Sequence, residues 1–271
     1  MNRLAGRVCL VTGSTGMAAA AAIRLAEEGA NVFIASRSEE HAGDLAERIA
    51  AAAGVADHAA ADLTVESEAN EVVDRCVARF GRIDGLFSVV GGSGRRFGDG
   101  PIDTVGADAW RATLDLNLTS QALVCAAVIR AMRAQVPNES GTRGAILLMG
   151  SVTATDPVPE LFGTHAYAAA KGAIAALTTA LAATYVNDRI RVNAVAPSLT
   201  DTPMAARAAG DERILEFSRR KQPLAGAMLD PAEVAHAVVY FLSDESRTVT
   251  GQVLKIDGGW SVVSAEPRPA S

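Results

Sequence analysis

Tyr167 and Lys171, in the run His165-Ala166-Tyr167-Ala168-Ala169-Ala170-Lys171, carry the chemistry most worth explaining in this chain. The run is rich in Ala and helical in character. Residues four apart on a helix project from the same face, about one turn from each other. A phenol has an ordinary pKa of about 10 and is a poor acid at neutral pH unless a neighbouring cation favours its ionised form. Lys171 can supply that cation, and Ser151, sixteen residues before Tyr167, adds a hydroxyl able to polarise a carbonyl oxygen. An acid, its activator and a polarising donor are the protein parts of a hydride-transfer site. A Tyr-x-x-x-Lys pair on its own more often marks a solvated helix face, so the elements around it must decide.

The first of those elements lies at the N-terminus. Val8-Cys9-Leu10-Val11-Thr12 is a short β-type apolar run, followed by Gly13-Ser14-Thr15-Gly16-Met17 and an Ala-rich helical segment over residues 18–28. A strand, a glycine turn and a helix start bind phosphate, because glycine lets backbone approach a diphosphate and the helix start offers free N–H groups. A second strand ends at Ala35-Ser36-Arg37-Ser38, with no acidic residue to hold a ribose diol. Arg37 offers a cation there and Ser36 and Ser38 offer hydroxyls for a 2′-phosphate, which favours NADP(H) and leaves NAD(H) possible. The alternative is that Arg37 faces solvent at the start of the next helix.

The ordered set of motifs resembles the short-chain dehydrogenase/reductase family, including its 3-oxoacyl-acyl-carrier-protein reductase-like members. It runs from Thr12-Gly13-Ser14-Thr15-Gly16 through Asp62-Leu63, Asn117, Ser151, Tyr167 with Lys171, and Pro197-Ser198-Leu199-Thr200-Asp201-Thr202, to the segment around Asp257-Gly258-Gly259. The resemblance implies a catalytic set of Asn117, Ser151, Tyr167 and Lys171. In it Tyr167 is the general acid or base, Ser151 bonds the carbonyl oxygen, Lys171 holds the nicotinamide ribose and lowers the Tyr167 pKa, and Asn117 anchors a proton-relaying water. It also implies a cofactor set of Gly13, Ser14, Thr15, Gly16, Met17, Ser36, Arg37, Asp62, Leu63, Val90, Gly91, Tyr167, Lys171, Pro197, Thr200 and Thr202. Homo-oligomers, tetramers or dimers, are the family's habit, with the helices at 108–135 and 164–187 as candidate interfaces. Three departures stand out. The glycine loop is one residue short and ends on Ala18; Ser88-Val89-Val90-Gly91 replaces the usual Asn-Asn-Ala-Gly, with Ser88 expected to retain a hydrogen bond; and Ser198 replaces a glycine. Ala183-Thr184 stands where carrier-protein reductases carry an Arg-Glu pair, although Arg130 and Arg133 could meet an acidic carrier.

Strand-like runs at 8–12, 31–35, 55–61, 83–90, 145–149, 190–195 and 253–256 alternate with Ala-rich helical stretches. That pattern predicts right-handed βαβ units and one α/β domain over 1–263, a Rossmann-type doubly wound parallel sheet of seven strands flanked by helices. Residues 264–271 are expected to form a short tail. Loops at 91–101, 156–163 and 197–229 fall beyond strand C-terminal ends, where open α/β sheets bind ligands. Residues 203–228 read as a lid bringing Leu215, Phe217, Leu224 and Met228 over a medium-sized, largely apolar ketone or alcohol. A net charge of −6 argues against nucleic acid. No apolar run approaches 18 residues, which predicts no membrane contact and a cytoplasmic protein. Cys9, Cys76 and Cys125 read as buried thiols, the four His show no ligand pattern, and no metal is expected. Arg95-Arg96 and Arg219-Arg220-Lys221 read as solvated loop charge, with a substrate-phosphate contact as the alternative, and His165 either lines the pocket or is incidental. The competing class is a cofactor-sensing or scaffold protein on the same fold, which would not need the complete Asn117, Ser151, Tyr167, Lys171 set.

Overall fold

The computed structural model describes residues 2–264; the predicted tail at 264–271 lies, apart from Ser264, outside them. Seven strands form one all-parallel sheet in the order β3-β2-β1-β4-β5-β6-β7. They are β1 (Val8–Thr12), β2 (Asn31–Ser36), β3 (Val55–Ala60), β4 (Gly85–Ser88), β5 (Gly144–Met149), β6 (Ile190–Pro197) and β7 (Val253–Ile256). Ten α-helices accompany them: α1 (Met17–Glu27), α2 (Glu39–Ala51), α3 (Glu66–Phe80), α4 (Ala107–Leu114), α5 (Ser120–Ala134), α6 (Pro159–Phe162), α7 (His165–Tyr185), α8 (Ala206–Ala209), α9 (Glu212–Lys221) and α10 (Pro231–Leu242). β1, β5 and β6 are buried along their whole length, as parallel strands covered on both faces must be. One core joins α1, α2 and α10 to the sheet; the other joins α3, α5 and α7 to its opposite face. The strand order reverses between β1 and β4, and the crevice beyond their C-terminal ends is where an open α/β sheet binds ligands.

Two of the expected boundaries move for identifiable reasons. β4 is shorter than the 83–90 run because side chains satisfy its flanks: Gln135 accepts from Ile83 N and donates to Ile83 O (3.1 and 2.8 Å), and Thr12 Oγ1 accepts from Val89 N and Val90 N (2.9 and 3.3 Å). The helix expected over 108–135 is interrupted by one π turn at Asp115–Thr119. Also, contrary to expectation, the helical stretches Ala107–Ala134 and His165–Asp188 are long and apolar enough to cross a membrane; each packs one face on the sheet as a crossover helix.

Two buried charges anchor the periphery. Arg191 on β6 is 8% exposed and makes no ion pair among the described residues. Its guanidinium instead donates to the carbonyls of Phe241 (2.9 Å) and Ser243 (3.1 Å) at the end of α10, and to Ser246 Oγ (2.8 Å). Burial lowers its pKa to about 10, so it stays charged at neutral pH. Glu28, 2% exposed, takes Nη2 of both Arg3 and Arg24 on Oε1 at 2.6 Å, and Arg3 N on Oε2. The Arg3 hydrogen bond, ahead of burial acting the other way, holds its pKa at about 2 against an ordinary 4.5. Because the folded value is the lower one, the stabilisation is complete above pH 4.5 and is lost as pH falls toward 2. Discounted for the solvent near this site, Glu28→Gln should cost about 1–2 kcal/mol at pH 7, with the penalty vanishing near pH 2. Urea unfolding of both proteins at pH 7 and pH 3 checks this.

Candidate active site

A cleft of about 630 Å³ opens at the C-terminal ends of β1, β4, β5 and β6. Ser151, Tyr167 and Lys171 line it, as does every residue proposed above for cofactor contact. Asn117 alone stands behind the wall, fully buried in the π turn.

The glycine loop shapes one end. Gly13 N donates to Ala35 O at 2.6 Å, pinning the loop to β2, and Ser14 Oγ pairs with Ser36 Oγ at 2.9 Å. Gly16 is the N-cap of α1 with φ +54°, where a Cβ would meet Thr202 Cγ2 at 2.8 Å, so only glycine fits. Among the described residues no backbone carbonyl takes the N–H groups of Ser14, Thr15, Gly16 or Met17, which leaves donors for phosphate oxygens despite the short loop. Ala18 is buried and takes up the space beside Gly13. At the end of β2, Ser38 caps α2 by accepting from His41 N, and Arg37 is exposed at the cleft edge with no ion pair among the described residues. Asp62 folds on itself, accepting from Thr64 N and Oγ1, a bond that is the main reason its pKa is lowered.

At the other end, α7 carries Tyr167 and Lys171 into the cleft. The helix start is held from a distant loop: the buried Asp99 carboxylate accepts from Ala166 N (3.0 Å) and Tyr167 N (2.9 Å). A carboxylate there suits the positive end of the helix dipole. His165 does not line the cleft; its Nδ1 accepts from Ile102 N, tying the same loop down. Lys171 is 2% exposed, lies 5.6 Å from the centre of the Tyr167 ring and donates to Met149 O at 2.8 Å. Burial drags its pKa down to about 7. Tyr167 keeps part of its surface, but its position deep in the cleft makes burial dominant and raises the phenol above its ordinary value. The expectation that Lys171 lowers that value is therefore corrected: the opposing influence is Ser151. The Ser151 hydroxyl, paired with Thr153 Oγ1 at 2.9 Å, also reaches the phenol, and that hydrogen-bonding interaction is what opposes burial.

Asn117 also differs from expectation. Both of its amide hydrogens are committed, to Gly92 O (2.8 Å) and Thr113 O (2.9 Å), and Oδ1 accepts from Gly92 N (3.0 Å). A Cβ on Gly91 would stand 2.6 Å from that oxygen and 3.4 Å from Lys171 Nζ. Asn117 thus clamps the loop beside Lys171, and only acceptor capacity is left for a water. Ser88, expected to keep a hydrogen bond, is buried with its hydroxyl unpaired, because Thr12 has taken the loop donors. Gln121, one turn after Asn117, was not singled out by its sequence context, yet it bonds both Met149 N and Met149 O and so fixes the carbonyl that holds Lys171.

The segment predicted as a lid also needs correction. Leu215, Phe217, Leu224 and Met228 do not line the cleft, and Leu224 is 91% exposed. Phe217 instead packs edge-on against Trp260. Met204, Ala205, Arg207 and Ala208 line the cleft, as do Phe162 and Trp260. Arg130 and Arg133 are engaged within the chain, by Asn70 and Asp188. Cys9, Cys76 and Cys125 are buried; burial pushes Cys76 and Cys125 up to about 12 and Cys9 higher still, so none is a ready nucleophile.

The profile of the family described as enoyl-(acyl carrier protein) reductase matches residues 11–261. A cis-4-hydroxycyclohexanecarboxylate dehydrogenase from Sinomonas cyclohexanicum is 36% identical over 260 residues, covering 96% of this chain and 98% of the relative. The 3-oxoacyl-[acyl-carrier-protein] reductase of Thermotoga maritima is 33% identical, covering 95% and 98%. A short-chain dehydrogenase/reductase structure from Burkholderia xenovorans superposes with a TM-score of 0.86 at 31% identity, over 97% of this chain and 100% of that one. The chain belongs to the short-chain dehydrogenase/reductase family. Like the dehydrogenases and reductases of that family, it is an oxidoreductase acting on CH–OH and C=O groups with a nicotinamide cofactor. The cleft fits such a cofactor: a phosphate cradle with unused N–H donors at one end, and a tyrosine, lysine and serine at the other.

Proposed function

We propose that this short-chain dehydrogenase/reductase interconverts a ketone and a secondary alcohol with NADP(H), using Tyr167 as general acid and base. The observation that carries this is the opening of Ser151, Tyr167 and Lys171 onto the same cleft as the Gly13–Met17 cradle. A bound nicotinamide cofactor supplies the hydride in reduction and accepts it in oxidation. In reduction the substrate oxygen takes the Tyr167 phenol proton while Ser151 Oγ donates a hydrogen bond to the same oxygen. Lys171, with a pKa near 7, is poised to return a proton to the phenolate, and Met149 O holds its ammonium in place. Asn117 and Gln121 act through position, on the Gly91–Gly92 loop and on Met149.

At the ribose end, Arg37, Ser14 and Ser36 support NADP(H) over NAD(H), because β2 ends on Ser36 and Arg37 with no acidic residue of its own to hold a ribose diol, while the Asp62 carboxyl is taken up by Thr64. Arg37→Ala is expected to weaken NADPH binding about 10- to 100-fold, the worth of a charge-assisted bond, with little change for NADH. Fluorescence titration of both cofactors on both proteins is the test, and equal weakening would remove Arg37 from this role. The substrate body is proposed to be medium-sized and apolar, against Phe162, Met204 and Trp260, with residues 203–208 as the cover. The name of the Sinomonas relative, a hydroxycyclohexane derivative, supports that size. Self-association is proposed through β7 and the exposed face of α7: Val253 and Leu254 are 40% and 42% exposed on the edge strand. Light scattering that gave a single 28.0 kDa species would exclude it.

A further inference from the structure

Two guanidiniums overlook the cleft with no ion pair among the described residues. Arg95 lies in the loop after β4 and Arg207 in α8, and both line the cleft. Arg207 donates to Leu161 O at 3.1 Å, next to Phe162, whose ring packs 5.9 Å from Trp260. Arg95 belongs to the loop whose Asp99 holds the first turn of α7. That acid is spent on the Ala166 and Tyr167 N–H groups and is not paired with either arginine. Arg95 is exposed by surface, yet enough protein surrounds it for burial to lower its pKa; Arg207 lowers it further and Asp99 acts the other way, so the two cations are close enough to repel and are only partly offset. Like charges gathered at a cleft mouth, on a chain of net charge −6, are unfavourable unless an anion bridges them.

We propose that Arg95 and Arg207 form an anion-docking site for the substrate, so that the carbonyl or alcohol reacting at Tyr167 belongs to a molecule with an apolar body and a terminal carboxylate or phosphate. This rests on the oxidoreductase function proposed above. Guanidinium forks match both anions bidentately, and the aromatic wall of Phe162 and Trp260 beside Arg207 accepts the body between anion and reacting carbon. The anion then fixes which carbon is presented, which is orientation bought with remote binding.

The test is a binding measurement, independent of turnover. Cyclohexanecarboxylate, cyclohexyl phosphate and the neutral cyclohexanecarboxamide are titrated calorimetrically into the protein with and without NADP⁺, alongside Arg95→Gln, Arg207→Gln and the charge-retaining Arg207→Lys. At least one anion is expected to bind tenfold or more tightly than the amide. That preference should collapse toward unity in both Gln variants and be partly kept in Arg207→Lys; the tighter anion identifies the group. A parallel kinetic arm compares 4-oxocyclohexanecarboxylate with its methyl ester. The acid-to-ester ratio of kcat/KM should fall tenfold or more in the Gln variants, whereas a merely structural role would lower both and leave the ratio. Anions binding no better than the amide, or a preference indifferent to both arginines, overturns the site. So does loss of NADPH affinity with the ratio intact, because the arginines would then belong to the cofactor. Anion binding without turnover of any ketone would leave the site standing and defeat the oxidoreductase proposal alone.

Discussion

Tyr167→Phe is expected to lower ketone reduction by about 10²- to 10⁴-fold, the usual worth of a positioned acid, while leaving thermal stability and NADPH affinity near wild type. The ring keeps its packing, and the phenol oxygen gives up only its interaction with the Ser151 hydroxyl. Loss of turnover with retained binding therefore isolates the proton. Burial holds the phenol above its ordinary pKa, so at neutral pH it is protonated and ready to donate. Alcohol oxidation, which needs the phenolate, should accordingly climb with pH beyond the neutral range, while reduction declines there. Initial rates in both directions between pH 6 and 10 check the sign. A Tyr167→Phe protein with every activity intact would shift the balance to the cofactor-sensing or scaffold alternative.

Lys171→Met is expected to move activity and stability in opposite directions. Turnover should fall about 10²-fold or more, since the proton path to Tyr167 is cut. The folded chain should nevertheless gain about 1–2 kcal/mol, because an ammonium has been taken out of water to sit where it is 2% exposed. The sign follows from the pKa. The folded value of about 7 lies below the ordinary 10.5, so the wild-type penalty is complete below pH 7 and disappears as pH rises toward 10.5. Melting curves should separate the two proteins most at pH 6 and least near pH 10. A destabilised variant would mean that the bond to Met149 O outweighs the burial of charge.

The inner strands β1, β2, β4, β5 and β6 were legible because parallel strands buried on both faces print continuous apolar runs, while the largely exposed edge strands β3 and β7 were legible from short β-type runs in the strand–helix alternation; all seven appear within a few residues of their structural ends. The phosphate cradle and the pair on α7 were legible because their spacing is local. What stayed hidden acts across the chain. Asp99 caps α7 from 67 residues away, and Thr12 takes over bonds at Val89 and Val90 from 77 and 78 residues away; no local pattern records either. The clamping role of Asn117 depends on a π turn that helical periodicity reads as uninterrupted helix. Arg95 was open to a reading as loop charge or as a substrate-phosphate contact, and no sequence signal singled out Arg207, since only folding places both on one cleft. In residues 215–228 apolar type suggested a lid face, but Phe217 is spent on Trp260 and Leu224 points to solvent.

The guanidinium of Arg191 sets a limit on how this chain can be shortened or assembled. The carbonyls and hydroxyl that solvate it come from residues 50 to 55 positions later, after the sheet centre is complete. β6 therefore enters the sheet carrying a cation that, among the described residues, is sheltered by the end of α10 and the turn that follows it. A nascent chain released before that helix end emerges, or one truncated before residue 241, must either leave β6 unpaired or bury an unsolvated charge. The last thirty or so residues are in this sense part of the sheet's foundation, and proteolytic or engineered C-terminal trimming should fail abruptly at that helix instead of eroding the protein by degrees.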